Sequence, residues 1–379
     1  MDFRLSDEHE LFRKTVSEFV SRHIAPVARK VDEDDEFPWE TFRKVASMGY
    51  FGLRYPEEYG GSGGDNTMFC LFCEEMAKGS MTLAAISAMQ CLMGTNFIFR
   101  FGTDGHRKRL LVPAIKGEKL GTIAMTEPGA GSDLGSIETT ARLEGDEWVL
   151  NGRKTWITNA TVADFFSVLA TTDRTKGMKA VNFFLVEKGA EGFTIGRTIE
   201  KLGVRGTATT ELGFDDCRIP KDNLLGISGK GGEQLLEILG EIRTMTGALS
   251  LGLARAALED SIRYSKERVQ FGKPIGSYQA IKIKLANMAT ELEAARLLVH
   301  YASWLVDNKL PCLKEASMAK LYASEVAVRA ADEAFRVHAS YGFAKDLPIQ
   351  RYLRDARFLL IGGGTSEILQ MVIAKELGV

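Results

Sequence analysis

The residue types best suited to chemistry begin in a glycine-rich segment, MTEPGAGSD, at residues 125–133. It combines a proline, two glycines and hydroxyl side chains, so its backbone amides can approach a ligand closely. It is not a P-loop, because no Gly-Lys-Ser/Thr follows, and not a dinucleotide fingerprint, because no strand-to-helix crossover surrounds it. A glycine-rich loop alone is weak evidence, and the weight of this one comes from the motifs that accompany it.

Those motifs continue through most of the chain in a fixed order. They are NGRKTWITNA at 151–160, KLGVR at 201–205, RVQFGK at 268–273, Arg354-Asp355, and GTSEI at 364–368. With these runs the chain resembles the acyl-CoA dehydrogenase family. The resemblance implies an FAD cofactor, an acyl-CoA substrate, an electron-transfer flavoprotein or similar acceptor, and a homotetramer. It also implies an α+β fold, with an N-terminal α-helical domain, a middle β-barrel or sandwich and a C-terminal four-helix bundle.

By the same resemblance, one group of FAD-binding residues lies in the middle of the chain. The group is Met125, Thr126, Ser132, Trp156, Ile157 and Thr158. Thr126 and Thr158 would hydrogen-bond the isoalloxazine ring, because a hydroxyl can both donate and accept. Trp156 would pack beside the ring as a flat apolar wall, with an ordinary core tryptophan as the alternative. Ser132 would lie where the substrate's pantetheine arm and the flavin phosphates pass.

A second implied group lies in the last third of the chain. Arg268 and Phe271 would reach the FAD of a neighbouring subunit, where a guanidinium neutralises diphosphate charge. Thr365 and Glu367 would contact the adenosine side, and they also suit a capped helix start. At residues 339–340, Ala-Ser replaces a glycine pair that the family usually shows near the flavin phosphates, so an altered backbone contact is expected there.

The chain departs from the family at the catalytic base. A carboxylate is needed because the α-proton of the thioester leaves as the β-hydride moves to the flavin. Gly363 occupies the usual glutamate position, and Ile242 occupies the alternative position before Arg243, which matches a CoA-contacting arginine. Arg243 could instead be a solvated surface residue. Glu241 is adjacent, but at about 100° per residue it points to another side of the helix.

One branch of the family also lacks the glutamate and oxidises alicyclic thioesters such as cyclohex-1-ene-1-carboxyl-CoA, using an aspartate from the N-terminal domain. By spacing, that position falls at or beside Cys91. This cysteine could be an unusual base, a replacement that weakens the site, or an inert pocket residue; the last two are favoured, since free cysteine is usually a small hydrophobe. The leading hypothesis is therefore an alicyclic acyl-CoA dehydrogenase.

Two alternatives remain open. One is a dehydrogenase for another linear, branched or aromatic-pathway acyl-CoA, with an unlocated base such as Glu241. The other is a catalytically silent member that only binds FAD and acyl-CoA.

Apolar periodicity predicts the elements that position these residues. Helical spacing over 6–119, short β-branched and aromatic runs over 121–228, and long amphipathic runs afterwards predict domains at 1–120, 121–228 and 229–379. The C-terminal helices are predicted at 233–268, 278–308, 313–341 and 364–377. Asp146 and Asn151-Gly152 predict successive turns. The apolar faces of the C-terminal helices suggest an oligomer interface, or else a thick internal core.

Composition excludes several other classes of protein. Basic and acidic residues nearly balance at 48 and 50, which argues against a nucleic-acid-binding chain. The five cysteines are scattered, and Cys70 and Cys73 lie in an apolar helical run without further metal ligands. No apolar signal core or membrane span is found, so the expected location is the cytoplasm.

Overall fold

A computed structural model describes residues 4–379, and it confirms the α+β class with helical domains on either side of a sheet domain. The N-terminal helices are α1 (Asp7–Phe19), α2 (Ala28–Asp34), α3 (Trp39–Ser47), α4 (Asn66–Gly79), α5 (Met81–Ala88), α6 (Asn96–Phe101), α7 (Asp104–His106) and α8 (Val112–Ile115). The strands of the middle domain are β1 (Gly121–Ala124), β2 (Thr140–Glu144), β3 (Glu147–Ile157), β4 (Phe165–Thr171), β5 (Val181–Glu187), β6 (Phe193–Thr198), β7 (Thr210–Pro220) and β8 (Leu224–Leu225).

The C-terminal part begins with the longest helix. Its elements are α9 (Gly231–Glu267), β9 (Val269–Gln270), β10 (Lys273–Pro274), α10 (Gln279–Asp307), α11 (Leu313–His338), α12 (Ser340–Phe343), α13 (Ile349–Leu359) and α14 (Ser366–Glu376). Helices α9, α10 and α11 pack against one another, and α13 and α14 pack on α11. Helix α13 was not predicted from the sequence.

Helix α4 of the N-terminal domain packs against the C-terminal domain. Asp65 caps it by accepting a hydrogen bond from the Met68 amide at 2.7 Å. Most of its residues are buried, including Cys70 and Cys73, because it packs on α1 at one side and on α9 at another. Its buried glutamates, Glu74 and Glu75, pair with Arg255 of α9. The burial of Cys70 and Cys73 agrees with their interpretation as inert core residues.

The middle domain is one mixed sheet with the order β6-β7-β3-β2-β4-β5-β8, and β1 pairs in parallel with β4. Every residue of β4 is buried, which explains its unbroken apolar run. The prediction of a turn at Asn151-Gly152 was wrong. The two residues lie inside β3 at a shift of register against β7, and a Cβ on Gly152 would clash with Thr139. Here glycine permits a close approach of two strands.

A stretch at Met81–Phe101 is long and apolar enough to cross a membrane by composition, but 83% of its most apolar window is buried inside the protein. It is therefore weak support for a membrane span and is explained by packing in the N-terminal core. All five cysteines are free.

Candidate functional site

The glycine-rich loop and the Trp156 segment, which are distant in sequence, are joined at one edge of the sheet. The Thr155 amide donates to the Thr126 carbonyl at 2.9 Å, directly beside Trp156. Trp156 has a φ of 61° at a register shift in β3, and 57% of its surface is exposed. A bulge of this kind redirects a side chain. The indole is thus held outward next to the loop rather than packed in the core.

A buried ion pair, which was not predicted from the sequence, holds the start of the glycine-rich loop in place. Lys154 is fully buried, and its Nζ donates to the Met125 carbonyl at 2.9 Å and to Glu127 Oε1 at 2.7 Å. Burial lowers the pKa of Lys154 to about 8 despite its carboxylate partner. Burial alone would raise the pKa of Glu127, but Lys154 lowers it below its ordinary value. Lys154 lies between Arg153 and Thr155, and this polar stretch of sequence gives no sign that the lysine is buried.

The residues of the first predicted cofactor group differ in their exposure at this edge. Thr126 and Thr158 are half-buried and Ser132 is exposed, whereas the Ile157 side chain lies in the core. A Cβ added to Gly129 would meet nothing within 4 Å, so the loop backbone is open. An outward indole beside open backbone amides and hydroxyls fits one face and edge of a flat, polar-rimmed ring system such as isoalloxazine.

The second group lies elsewhere on the chain. Arg268 and Phe271 line a surface cavity of roughly 440 Å³, together with residues 337–341 and other residues near α9 and α10, and none of the first group borders it. Phe271 is 94% exposed. Ala339 takes a φ of 51° at the end of α11, so it keeps the left-handed backbone for which glycine is normally preferred. An altered backbone contact at this point stays a prediction.

Thr365 caps α14 by accepting a hydrogen bond from the Ile368 amide at 3.3 Å, as the capped-start interpretation predicted. Glu367 is exposed in the first turn of this helix. Hydrogen bonds from its own amide and from Thr365 hold the pKa of Glu367 below its ordinary value.

The two alternative base positions of the sequence meet at one point in space. A Cβ built on Gly363 would lie 3.7 Å from Ile242 Cγ2 and 2.9 Å from Thr246 Oγ1. Ile242 is 3% exposed, and the Thr246 hydroxyl donates to the Ile242 carbonyl at 2.9 Å. We call the space in front of Ile242, Thr246 and Gly363 the vacancy. These three residues supply no carboxyl group to it.

Neither substitute base suggested by the sequence is suited to that role. Cys91 is fully buried, its thiol donates to the Tyr50 carbonyl at 3.4 Å, and burial raises its pKa to about 12. Glu241 is buried and accepts hydrogen bonds from the guanidiniums of Arg54 and Arg100. The geometry favours the interpretation of Cys91 as an inert apolar residue, and it assigns the Glu241 carboxylate to two arginines instead of a substrate.

Arg243 is buried and not a solvated surface residue. Its Nη1 donates to Ser317 Oγ at 2.8 Å, its Nε has no hydrogen-bond partner, and burial lowers its pKa. Lys320 is fully buried nearby, donates to the Gly364 carbonyl at 2.7 Å, and has a pKa lowered by burial to about 8. Within residues 4–379, neither cation has a carboxylate within 4 Å.

Comparison with known proteins covers the whole chain. Family models match for the "Acyl-CoA dehydrogenase, N-terminal domain" at residues 6–118, the "middle domain" at 122–217 and the "C-terminal domain" at 229–378. A benzylmalonyl-CoA dehydrogenase of Aromatoleum aromaticum is 53% identical over 99% of both chains. A 3-(aryl)acrylate reductase of Clostridium sporogenes is 42% identical over 98% of this chain and 99% of its own.

Solved structures give the same result. The butyryl-CoA dehydrogenase of Megasphaera elsdenii superposes with a TM-score of 0.97 and is 38% identical, with both chains fully covered. A chain from a study of the electron transferring flavoprotein of Acidaminococcus fermentans gives a TM-score of 0.97 at 36% identity, covering 100% of this chain and 99% of its own. A chain from an FAD complex of PigA gives 0.96 at 29% identity, covering 100% and 99%.

Proposed function

Because the chain belongs to the acyl-CoA dehydrogenase family, we propose that its substrate is a CoA ester of the arylmethyl-malonyl type that loses CO2 during oxidation. Family membership makes the chain an FAD-dependent oxidoreductase that acts on the CH–CH group of acyl-CoA thioesters. The observation that carries this proposal is the vacancy, where Gly363 and Ile242 converge without an acid. Dehydrogenation requires an electron pair on the α-carbon, and here no side chain at either family position can generate it by removing a proton.

A carboxylate on the α-carbon can supply that electron pair without a base. When the bond between the α-carbon and the carboxylate breaks, CO2 leaves and the bonding pair stays on the α-carbon as the thioester enolate. That pair then forms the α,β double bond as the β-carbon gives up a hydride. Bound FAD supplies the hydride acceptor. The products are CO2, an arylacrylyl-CoA and the reduced cofactor, so atoms and electrons balance.

The surroundings of the vacancy suit this step. Ile242 gives the space an apolar wall, and Gly363, which has no side chain, brings no polar group to it. Transfer of a carboxylate to apolar surroundings raises its free energy more than that of the delocalised enolate and neutral CO2 that follow. The aryl group is inferred from two relatives, whose names refer to benzylmalonyl-CoA and to 3-(aryl)acrylate.

The site residues take their proposed places around this reaction. Thr126, Trp156 and Thr158 would hold the flavin ring from the strand edge, and Ser132 would lie along the pantetheine arm. Arg268 and Phe271 would bind the FAD of a neighbouring subunit in a homotetramer. An electron-transfer flavoprotein is the proposed acceptor, supported by the similarity to a chain from a study of the electron transferring flavoprotein of Acidaminococcus fermentans. The proposed location is the cytoplasm, which suits five free cysteines.

The test is anaerobic mixing of FAD-loaded protein with benzylmalonyl-CoA or 3-phenylpropionyl-CoA, which differ only in the α-carboxylate. We expect benzylmalonyl-CoA to bleach the flavin and to release one CO2 per reduced flavin, measured with carboxyl-labelled ester. The ester without the carboxylate should react at least about 100-fold more slowly, the usual contribution of a general base. Equal or faster bleaching by 3-phenylpropionyl-CoA would refute the proposal.

The alicyclic hypothesis stays a prediction that the same assay tests with cyclohex-1-ene-1-carboxyl-CoA. It is less favoured, because the buried thiol of Cys91, with a pKa of about 12, stands where that chemistry requires an acid that ionises readily.

A further inference from the structure

A partly buried cluster around Glu241, the residue before Ile242, contains more cations than anions. Glu241 accepts hydrogen bonds from Nη2 of Arg54 and from Nη2 of Arg100. Asn96 completes the group, since Arg100 Nε donates to its Oδ1 at 3.3 Å and its Nδ2 lies 3.4 Å from Glu241 Oε2. We call these four residues the arginine cluster. With two guanidiniums and one carboxylate, it carries one positive charge in excess.

Arg54 is largely buried whereas Arg100 is partly exposed, and neither guanidinium has another acidic neighbour within 4 Å in the part of the chain that the structure describes. Arg54 and Arg100 form ion pairs within 4 Å with Glu241 alone. The Arg54 guanidinium also lies 4.8 Å from the ring centroid of Phe69, in apolar surroundings. Because one carboxylate serves two guanidiniums, the cluster keeps a net positive charge, which attracts an anion. Such a cluster is therefore suited to an anionic ligand.

A ligand can reach the cluster. The side chains of Arg54 and Arg100 remain 10% and 31% exposed, respectively, whereas that of Glu241 is 6% exposed. Glu241 directly precedes Ile242 on α9, so their Cα atoms are about 3.8 Å apart. The cluster is therefore attached to the residue next to the vacancy, and its two guanidiniums come from the N-terminal domain. Arg243 lies two residues after Glu241, points to another side of α9 and contacts Ser317, so it is not part of the cluster.

We propose that Arg54 and Arg100 form a subsite for a free carboxylate on the acyl group, and that this subsite selects carboxylated acyl-CoA esters over their uncharged counterparts. The inference rests on the proposed function and names the residues that would recognise its substrate. A guanidinium presents paired N–H donors that match the two oxygens of a carboxylate. Glu241 acts as a positioning residue and not as a base, because each of its two carboxylate oxygens holds one of the guanidiniums.

Glu241 has a second effect on the same subsite. By neutralising one of the two guanidiniums, it limits how strongly a bound carboxylate is stabilised. This matters for the proposed reaction, because binding that stabilises the carboxylate in the ground state, but not as it becomes CO2, slows the loss of CO2. One excess charge is enough for selection without holding the carboxylate as a complete salt bridge.

The experiment measures binding, not turnover. Malonyl-CoA and acetyl-CoA differ by one carboxylate, and neither has a β-carbon hydrogen to give up, so titration calorimetry of the FAD-loaded protein reports affinity. We expect the wild type to bind malonyl-CoA at least about tenfold more tightly, as a charge-assisted hydrogen bond of 1.5–3 kcal/mol implies. Equal dissociation constants for the two esters in the wild type would overturn the subsite.

Variants locate the effect. Arg54→Met should raise the dissociation constant of malonyl-CoA about tenfold and change that of acetyl-CoA less than twofold. It leaves Glu241 and Arg100 as a one-to-one pair, so no charge is stranded by the substitution. Arg54→Lys should recover part of the selectivity. Equal weakening of both esters would mean that the cluster binds the CoA phosphates, which overturns the proposal. Circular dichroism and FAD content check folding.

Failure of this inference and failure of the proposed function give different results. Selectivity for malonyl-CoA that depends on Arg54, without flavin bleaching by benzylmalonyl-CoA, would remove only the proposed reaction. Bleaching with CO2 release, without an effect of Arg54 on malonyl-CoA binding, would remove only the subsite. Should Arg54→Met not fold, Glu241→Gln decides: the added net charge should tighten malonyl-CoA relative to acetyl-CoA, and an unchanged ratio contradicts the subsite.

Discussion

At the residue scale, Ile242 is the position from which a base could be restored with least strain. Gly363 has a φ of 74°, where side chains other than glycine cost about 1–2 kcal/mol, and its Cβ would press on Thr246. Ile242 also faces the vacancy, and it lies within α9, where a glutamate has no backbone strain. We expect Ile242→Glu to raise the rate of flavin bleaching by 3-phenylpropionyl-CoA at least about 100-fold. The rate with benzylmalonyl-CoA should fall, because the new carboxylate repels the carboxylate of this substrate.

The matched control is Ile242→Gln, which has a similar size and shape but no base. Rapid-mixing absorbance under anaerobic conditions measures both rates. A buried glutamate has a raised pKa, so the restored activity should increase with pH through the pKa of the new carboxyl group. An equal gain in the glutamine variant, or none in either, would show that the vacancy does not face the α-carbon.

The sequence was sufficient to predict the vacancy but not the contacts and burial of the residues next to Ile242. Gly363 and Ile242 were identified by their places in motifs, and the structure brings them together. The partners of Glu241 could not be found in that way, because Arg54 is 187 residues away from it and belongs to another domain. Burial of Arg243 was missed for a similar reason, since the helices that cover it are assembled only by tertiary packing.

At the element scale, Asp355 on α13 holds the loop that contains the KLGVR motif. Its Oδ1 accepts a hydrogen bond from the Val204 amide at 2.7 Å, while neighbouring Arg354 pairs with Asp32 of the N-terminal domain at 2.5 Å. Burial raises the pKa of Asp355 from 3.8 to about 6.

This shift predicts a pH dependence of stability. The folded carboxyl group retains its proton to a higher pH than the unfolded one, so its contribution is present below pH 3.8 and is lost as the pH rises through about 6. Asp355→Asn keeps an oxygen acceptor for Val204 but does not titrate. Urea unfolding between pH 4 and 7 should show the variant gaining stability relative to the wild type as pH rises. Parallel curves would contradict the shifted pKa.

Elements with long apolar periods were predictable, and those fixed by partners were not. The helices predicted at 233–268, 278–308 and 313–341 occur at Gly231–Glu267, Gln279–Asp307 and Leu313–His338. Helix α13 has only 11 residues, but Ile349, Tyr352, Leu353, Ala356 and Leu359 recur at helical spacing, so its period was present in the sequence. The Asn-Gly pair failed as a turn because β3 continues through it between β2 and β7, and strand pairing outweighed local turn preference.

At the scale of the whole molecule, the two groups of proposed FAD-binding residues do not form one site in a single chain. Trp156 stands outward at the sheet edge, whereas Arg268 and Phe271 border a separate cavity. Phe271 is 94% exposed, and its ring contact is an edge-on one with Tyr278 at 6.3 Å. An exposed aromatic ring of this kind is suited to a ligand or surface supplied by another subunit.

If each FAD lies between two subunits, two defective variants should complement one another. Trp156→Ala removes the first half-site and Arg268→Gln the second, and each alone should lose FAD on gel filtration while keeping its fold. Co-expressed, the two chains assemble at random, so half of the subunit pairs are mixed and each mixed pair regains one intact site of its two. We therefore expect the co-expressed protein to hold about one quarter of the wild-type FAD content, measured by absorbance per chain. The control is Leu11→Ala, a substitution of an exposed residue of α1, which should keep the full FAD content. No recovery on co-expression, with both chains present in one oligomer, would place the whole cofactor within a single subunit and contradict the shared site.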